Sequence, residues 1–102
     1  LLGRKTAREK IATFLLSLSE RAIRRGERGD MIALPMSRED IGDYLGLAIE
    51  TVSRTFTRFK KLGVVYHFNP REAKILDREA LQHIAGMAED MSLTATAAFR
   101  RR

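Results

Sequence analysis

The feature that most constrains this chain is a pair of helical patterns joined by a glycine turn, between residues 37 and 62. The second pattern places four large apolar side chains at helical steps of three and four: Ile49, Val52, Phe56 and Phe59. Such spacing predicts a helix with one apolar face that packs against a core. Gly46 can adopt the left-handed backbone conformation that a tight turn between two helices requires. The chain is therefore predicted to contain a helix-turn-helix unit.

A different face of the second helix is polar. Glu50, Ser53 and Arg54 fall on it at positions i, i+3 and i+4, within one turn. An arginine can donate two hydrogen bonds to guanine, a glutamate can accept one from the cytosine amino group, and a serine can pair with either base. We therefore predict that these three side chains contact base edges in the major groove of DNA. The alternative is that the three are ordinary surface residues, among which an i, i+4 Glu–Arg pair would add only about 0.2–0.5 kcal/mol to the helix.

Charge is distributed unevenly along the chain. The formal net charge is +6, and half of it comes from the three arginines that end the sequence. Between Glu50 and Glu72 there is no acidic residue but there are five basic ones: Arg54, Arg58, Lys60, Lys61 and Arg71. A basic surface on one element suits a polyanion such as DNA. A merely solvated helix face is the alternative for this charge.

The segment before the helix pair predicts a helix and a strand. Residues 5–25 show the apolar period of a long amphipathic helix. Residues 31–34 are a short apolar run that ends at Pro35, since proline cannot donate to a strand ladder. Ser37 is suited to cap the first helix of the pair. The packing face of that helix is assigned three side chains: Ile41, Tyr44 and Leu45.

A β-hairpin is predicted after the second helix of the pair. Residues 64–68 and 73–76 are rich in strand formers, and a turn at 69–72 separates them. Asp77 is suited to cap a last helix, which ends near Gly86. This order of elements is typical of a winged helix-turn-helix, a mainly α fold with a small antiparallel sheet, in which the hairpin is the wing.

At the level of individual residues, the pattern resembles the DNA-binding domain of Crp/Fnr-type transcription regulators. Three segments carry the resemblance, which covers roughly residues 2–86: Leu34 to Leu47, Ile49 to Arg54, and Phe59 to Gly63. The cyclic-AMP-responsive branch of that family has Arg in place of Ile49 and Gly in place of Ser53. The resemblance is therefore strongest to the Fnr/FixK branch. Family members commonly have Thr or Ser where this chain has Ala48, which is a poor helix cap.

The resemblance implies that Glu50, Ser53 and Arg54 contact the bases of TTGAT-type half-sites in a palindrome of double-stranded DNA. Secondary contacts to bases or phosphates are expected from a wider set: Ile49, Thr51, Ser37, Arg38, Arg58, Lys61 and His67. Ile49 has two interpretations, as a core residue or as an edge residue that touches a thymine methyl group. The resemblance also implies a homodimer formed through a segment missing from this chain, RNA polymerase as a partner, and a role as an activator.

Other classes of function have little support in the sequence. There is no cysteine, and the two histidines, His67 and His83, lack the spacing of metal ligands. No catalytic motif is present, so we expect no enzyme activity, no metal and no cofactor. No apolar run approaches the roughly 20 residues that span a bilayer, and a cytoplasmic protein is expected. The main alternative is a winged-helix module for protein–protein contact without specific DNA recognition.

The domain organisation is expected to be simple. A chain of 102 residues fits one domain. We expect the winged helix-turn-helix to occupy residues 1–90 and residues 91–102 to form a mobile tail. Because the first residue is Leu and not Met, we expect the chain to be a piece of a longer protein.

Overall fold

The computed structural model describes residues 5–86. Its elements in chain order are α1 (Ala7–Arg24), β1 (Met31–Ala33), α2 (Arg38–Leu45), α3 (Ile49–Lys61), β2 (Val65–Asn69), β3 (Glu72–Ile75) and α4 (Arg78–Ala85). This confirms the predicted fold class, a mainly α winged helix-turn-helix with a small antiparallel sheet. The predicted tail at residues 91–102 lies outside the described residues. In the part that the structure describes, no helix is both long enough and apolar enough to cross a membrane.

Helix α1 begins at Ala7 because Thr6 forms a capping box with Glu9. The Thr6 hydroxyl accepts a hydrogen bond from the Glu9 backbone N–H at 3.2 Å, and the Glu9 carboxylate accepts one from the Thr6 N–H at 2.8 Å. The buried surface of α1 is wider than the single apolar face of an amphipathic helix, since it includes Ala12, Leu16 and Ser19 as well as Ile11, Phe14, Leu15 and Ala22. The reason is that α1 packs against both α4 and α3, so two of its faces lie in the core.

The sheet has three antiparallel strands in the order β1-β3-β2. In β1, Ile32 pairs with Ala73 of β3, and in β2, Val65 pairs with Ile75. The register shifts between His67 and Asn69, near the tip of the wing. The predicted hairpin is therefore confirmed, and β1 joins it as a third strand that ties the wing to the segment before α2.

The turn between α2 and α3 depends on two glycines. Gly46 has a φ of 74°, in the left-handed region, as predicted. Gly42 is buried, and its carbonyl accepts a hydrogen bond from the Leu47 N–H at 2.7 Å. A Cβ atom on Gly42 would lie 2.5 Å from the Leu47 carbonyl oxygen. Glycine at 42 therefore allows the chain to turn tightly against α2.

The helix caps in this region match the sequence expectations. The Ser37 hydroxyl accepts a hydrogen bond from the Asp40 N–H at 3.1 Å, so Ser37 is the N-cap of α2. Ala48 precedes α3 and makes no side-chain cap. The first turn of α3 therefore keeps backbone N–H groups that no cap satisfies.

The assignment of Tyr44 to the packing face of α2 was wrong. Its side chain is 69% exposed, and its ring makes one tilted contact with the Phe14 ring, at a centroid distance of 5.9 Å. Ile41 is fully buried and Leu45 packs partly against the core. The buried arc of α2 is centred between Ile41 and Gly42, because α3 crosses close to that glycine. Successive residues of a helix are about 100° apart, so Tyr44 points roughly 110° away from the centre of the buried side and lies outside it.

Candidate nucleic-acid interface

One face of α3 is anchored firmly in the core. Val52, Phe56 and Phe59 are each 0% exposed. Fully burying one such side chain contributes about 1.5–3 kcal/mol, so three of them hold the helix in a fixed orientation. Ile49 is 44% exposed, which rejects its interpretation as a core residue and places it at the edge of the face.

The three predicted base-contacting residues lie together on the outward side of α3. Glu50 and Arg54 are exposed, and Ser53 is half-buried. In the described part of the chain, neither Glu50 nor Arg54 takes part in an ion pair. Both charged groups are available to an external partner.

Basic side chains extend the surface of α3 beyond Arg54. Arg58 and Lys61 are exposed further along the helix, four and seven residues after Arg54. A shallow crevice beside them, lined by Arg54 and Arg58, also contains Arg8 from the start of α1. The sequence analysis missed Arg8, because only the packing of α1 against α3 brings it there. Thr51 lines the same crevice, and its carbonyl accepts a hydrogen bond from the Thr55 hydroxyl at 2.7 Å.

A second group of the predicted residues lies where α2 begins. Arg38 follows the cap residue Ser37, and its guanidinium carbon lies 4.3 Å from the centroid of the Phe56 ring. The Arg38 Nε atom is buried and has no hydrogen-bond partner in the described part of the chain. Burial lowers the pKa of Arg38 below its ordinary range, because desolvation disfavours the charged form.

His67 reaches the same place from the wing. Its ring meets the Phe56 ring edge-on, at 5.8 Å between centroids and 81° between planes. The Nδ1 atom is buried without a hydrogen-bond partner among residues 5–86. The pKa of His67 lies below its ordinary 6.5, because the ring is desolvated and the charges of Arg38 and Lys60 oppose its protonation. The structure thus brings Arg38 and His67 together.

The wing itself is fixed by contacts with its neighbours. The Lys60 ammonium of α3 lies 5.1 Å from the centroid of the Tyr66 ring, and the Arg71 guanidinium donates to the Leu34 carbonyl at 3.2 Å. These contacts join the hairpin to α3 on one side and to the segment before α2 on the other. Between residues 5 and 86, no group of three or more His, Asp or Glu side chains is placed to hold a metal ion.

Comparison with known proteins gives a consistent result. The Crp-like helix-turn-helix domain family matches residues 9–84 of the chain. The transcriptional activator protein FnrA of Stutzerimonas stutzeri is 52% identical over 90 residues, which are 88% of this chain and 36% of that protein. The nitrogen fixation regulation protein FixK of Bradyrhizobium diazoefficiens is 55% identical over 65 residues, which are 64% of this chain and 27% of that protein.

Solved structures agree with the sequence matches. The structure of FixK2 from Bradyrhizobium japonicum superposes with a TM-score of 0.72 at 45% identity, and the match covers 82% of this chain and 40% of that one. The chain spans about a third of the length of the curated relatives it matches. The fold, the family match and these relatives lead to one identification: the chain belongs to the Crp-like helix-turn-helix family, the DNA-binding domains of Crp/Fnr-type transcription regulators, and resembles the Fnr/FixK branch.

Proposed function

We propose that α3 enters the major groove of a TTGAT-type half-site and recognises it through Glu50, Ser53 and Arg54. Arg54 donates two hydrogen bonds to a guanine, Glu50 accepts one from the cytosine amino group, and Ser53 adds a third base contact. The observation that carries this proposal is the division of α3 into a fully buried face and an outward face, whose charged residues Glu50 and Arg54 form no ion pair within residues 5–86. A helix held in this way presents its polar side chains in one defined arrangement.

The remaining predicted residues surround this helix and would contact the DNA backbone. Arg58 and Lys61 continue along α3, and Ser37, Arg38 and His67 lie at the start of α2 and on the wing. Contacts to phosphates set the position of the protein on the duplex without carrying sequence information themselves. Two residues of α3 itself complete the set in this proposal. Ile49, exposed at the start of the helix, touches a thymine methyl group, and Thr51 makes a secondary contact to the DNA.

We further propose how this domain acts within the full-length protein. In the proposal the domain spans residues 1–90, acts in the cytoplasm as part of a transcription activator, and pairs as a homodimer through a segment outside this chain. The dimer binds a palindrome and contacts RNA polymerase. The relative FnrA is named a transcriptional activator and the relative FixK a nitrogen fixation regulation protein, which favours a regulator over an enzyme.

Selection from a pool of random duplexes tests the proposal directly. The bound fraction should become enriched in TTGAT-type sequences, and affinity should fall as salt rises, because phosphate contacts release counterions. A variant with Glu50→Ala and Arg54→Ala should lose the enrichment but keep salt-dependent binding. If the unchanged chain enriches no sequence and its binding ignores salt, the proposal fails and the protein–protein module becomes the better interpretation.

A further inference from the structure

Two basic side chains pack against one aromatic ring at the junction between α2 and the wing. Arg38 lies over the face of Phe56, and His67 meets the same ring edge-on. Each has a buried nitrogen, Nε of Arg38 and Nδ1 of His67, without a hydrogen-bond partner in the described part of the chain. Buried polar atoms of folded proteins are nearly always hydrogen-bonded, so two orphans at one place need an explanation.

The charges that face His67 are all positive. Arg38 of α2 and Lys60 of α3 both oppose its protonation, and its partner across the sheet is the apolar Ala73 of β3. The next acidic residue on β3 is Glu72, whose carboxylate accepts a hydrogen bond from the Asn69 amide at 3.1 Å. The ion pairs of residues 5–86 involve other side chains, all between residues 20 and 30.

The two basic side chains at this junction suit an anion. A negative group placed against both side chains would accept hydrogen bonds from them, and it would offset the repulsion that Arg38 exerts on a protonated His67. Arg38 also occupies the first turn of α2, where the positive helix end is unfavourable for a cation and favourable for an anion. Under the proposed function, the anion that lies against this face is a phosphate of the DNA backbone.

We propose that Arg38 and His67 form a phosphate site with a built-in proton switch, in which His67 takes up one proton from solvent when DNA binds. The imidazolium donates a hydrogen bond to a non-bridging phosphate oxygen, and Arg38 donates a second. This inference rests on the proposed function, since the DNA backbone supplies the anion. Its consequence is that DNA affinity rises as pH falls.

The direction and size of the pH dependence follow from the coupling between proton uptake by His67 and DNA binding. Desolvation and the two neighbouring cations lower the pKa of His67 in the free domain, which favours the neutral ring. A phosphate within about 4–6 Å favours the charged form and raises that pKa in the complex. Between the two pKa values one proton is taken up per site, so affinity changes by at most about tenfold per pH unit.

Binding of the 102-residue chain to a TTGAT-containing duplex, measured from about pH 8 to about pH 6 at fixed ionic strength, tests the proposal. The dissociation constant should fall several-fold towards low pH. His67→Gln should abolish this slope. His83→Gln is the matched control, because His83 is the other histidine of the chain and lies exposed on α4. It should keep the slope of the unchanged chain.

A second measurement tests proton uptake by His67 even if the His67→Gln variant folds poorly. The ring carbon signals of His67 in the unchanged chain, followed by NMR, give its pKa with and without DNA. The pKa should rise on binding. A slope that persists in a folded His67→Gln variant, or a His67 pKa that DNA leaves unchanged, would overturn the proton switch. Loss of preference for the cognate duplex at every pH would instead refute the proposed function.

Discussion

Phe56 is the residue on which most of the candidate interface depends. Its ring is 0% exposed, and it also supports both Arg38 and His67. We expect Phe56→Ala to lower the free energy of unfolding by about 3–5 kcal/mol, because it removes a large buried side chain and leaves a cavity. That loss is a large part of the roughly 5–15 kcal/mol that stabilises a typical domain. Chemical denaturation of the chain measures it.

Phe68→Ala provides the matched control. Phe68 lies on the wing and is 52% exposed, so its removal should change stability by less than about 1 kcal/mol. Equal losses for the two variants would mean that α3 packs through a different face. The outward side of the helix would then need to be reassigned.

Sequence reasoning at the residue scale succeeded where helical spacing alone decides the outcome. The steps between Val52, Phe56 and Phe59 fix one buried face, and the outward placement of Glu50 and Arg54 follows from the same period. It failed where a distant element decides the outcome. Tyr44 is exposed because of how α3 crosses α2, and Arg8 joins the surface of α3 only through the packing of α1.

The helix-turn-helix depends on the close approach of α2 to the turn that follows it. We expect Gly42→Ala to lower the free energy of unfolding by about 1–3 kcal/mol, because the new Cβ would lie 2.5 Å from the Leu47 carbonyl oxygen. In an unobstructed helix interior the same change would add about 1 kcal/mol of stability. A thermal melt of the variant distinguishes the two outcomes by their sign.

Asp43→Ala serves as the control for helix propensity, since Asp43 is the exposed neighbour of Gly42 on α2. It should leave the melting temperature nearly unchanged or raise it slightly. If Gly42→Ala were as stable as Asp43→Ala, the turn would have room for a methyl group, and the tight approach of Leu47 to α2 would not be a constraint.

Most elements were predictable from local signals, because caps, glycine stops and apolar periods act within a few residues. Ser37, Gly46 and Asp77 mark helix boundaries that the structure confirms. The pairing of β1 with β3 was not predicted, because it joins segments about 40 residues apart that share no local signal. The junction of Arg38 with His67 was missed for the same reason.

At the scale of the whole molecule, the proposed homodimer would add the avidity of two tethered DNA-binding domains, which one domain lacks. A single copy should bind one half-site weakly, because it gains nothing from a tethered second copy. Fusing a dimerising helix ahead of Leu1 should raise affinity for a palindrome far more than for one half-site. Electrophoretic mobility shifts of the fused and unfused chains on both duplexes measure the difference.

Changing the spacing between the half-sites distinguishes recognition of a palindrome by a two-fold dimer from independent binding of two copies. A two-fold dimer must place its two recognition helices in successive major grooves on one face of DNA. Inserting about five base pairs, roughly half a helical turn, should therefore abolish the gain of the fused chain. If the fused chain bound the lengthened site as tightly as the original one, the two-fold model would be wrong.

The most direct test of the central claim compares Arg54→Ala with Lys61→Ala on cognate and scrambled duplexes. Arg54→Ala should cost about 1–3 kcal/mol of binding on the TTGAT-type duplex and much less on the scrambled one, because a bidentate guanine contact exists only on the first. Lys61→Ala should weaken both equally, as loss of a phosphate contact does. Equal losses on both duplexes for Arg54→Ala would contradict the account, since Arg54 would then contact the backbone and α3 would not recognise bases through it.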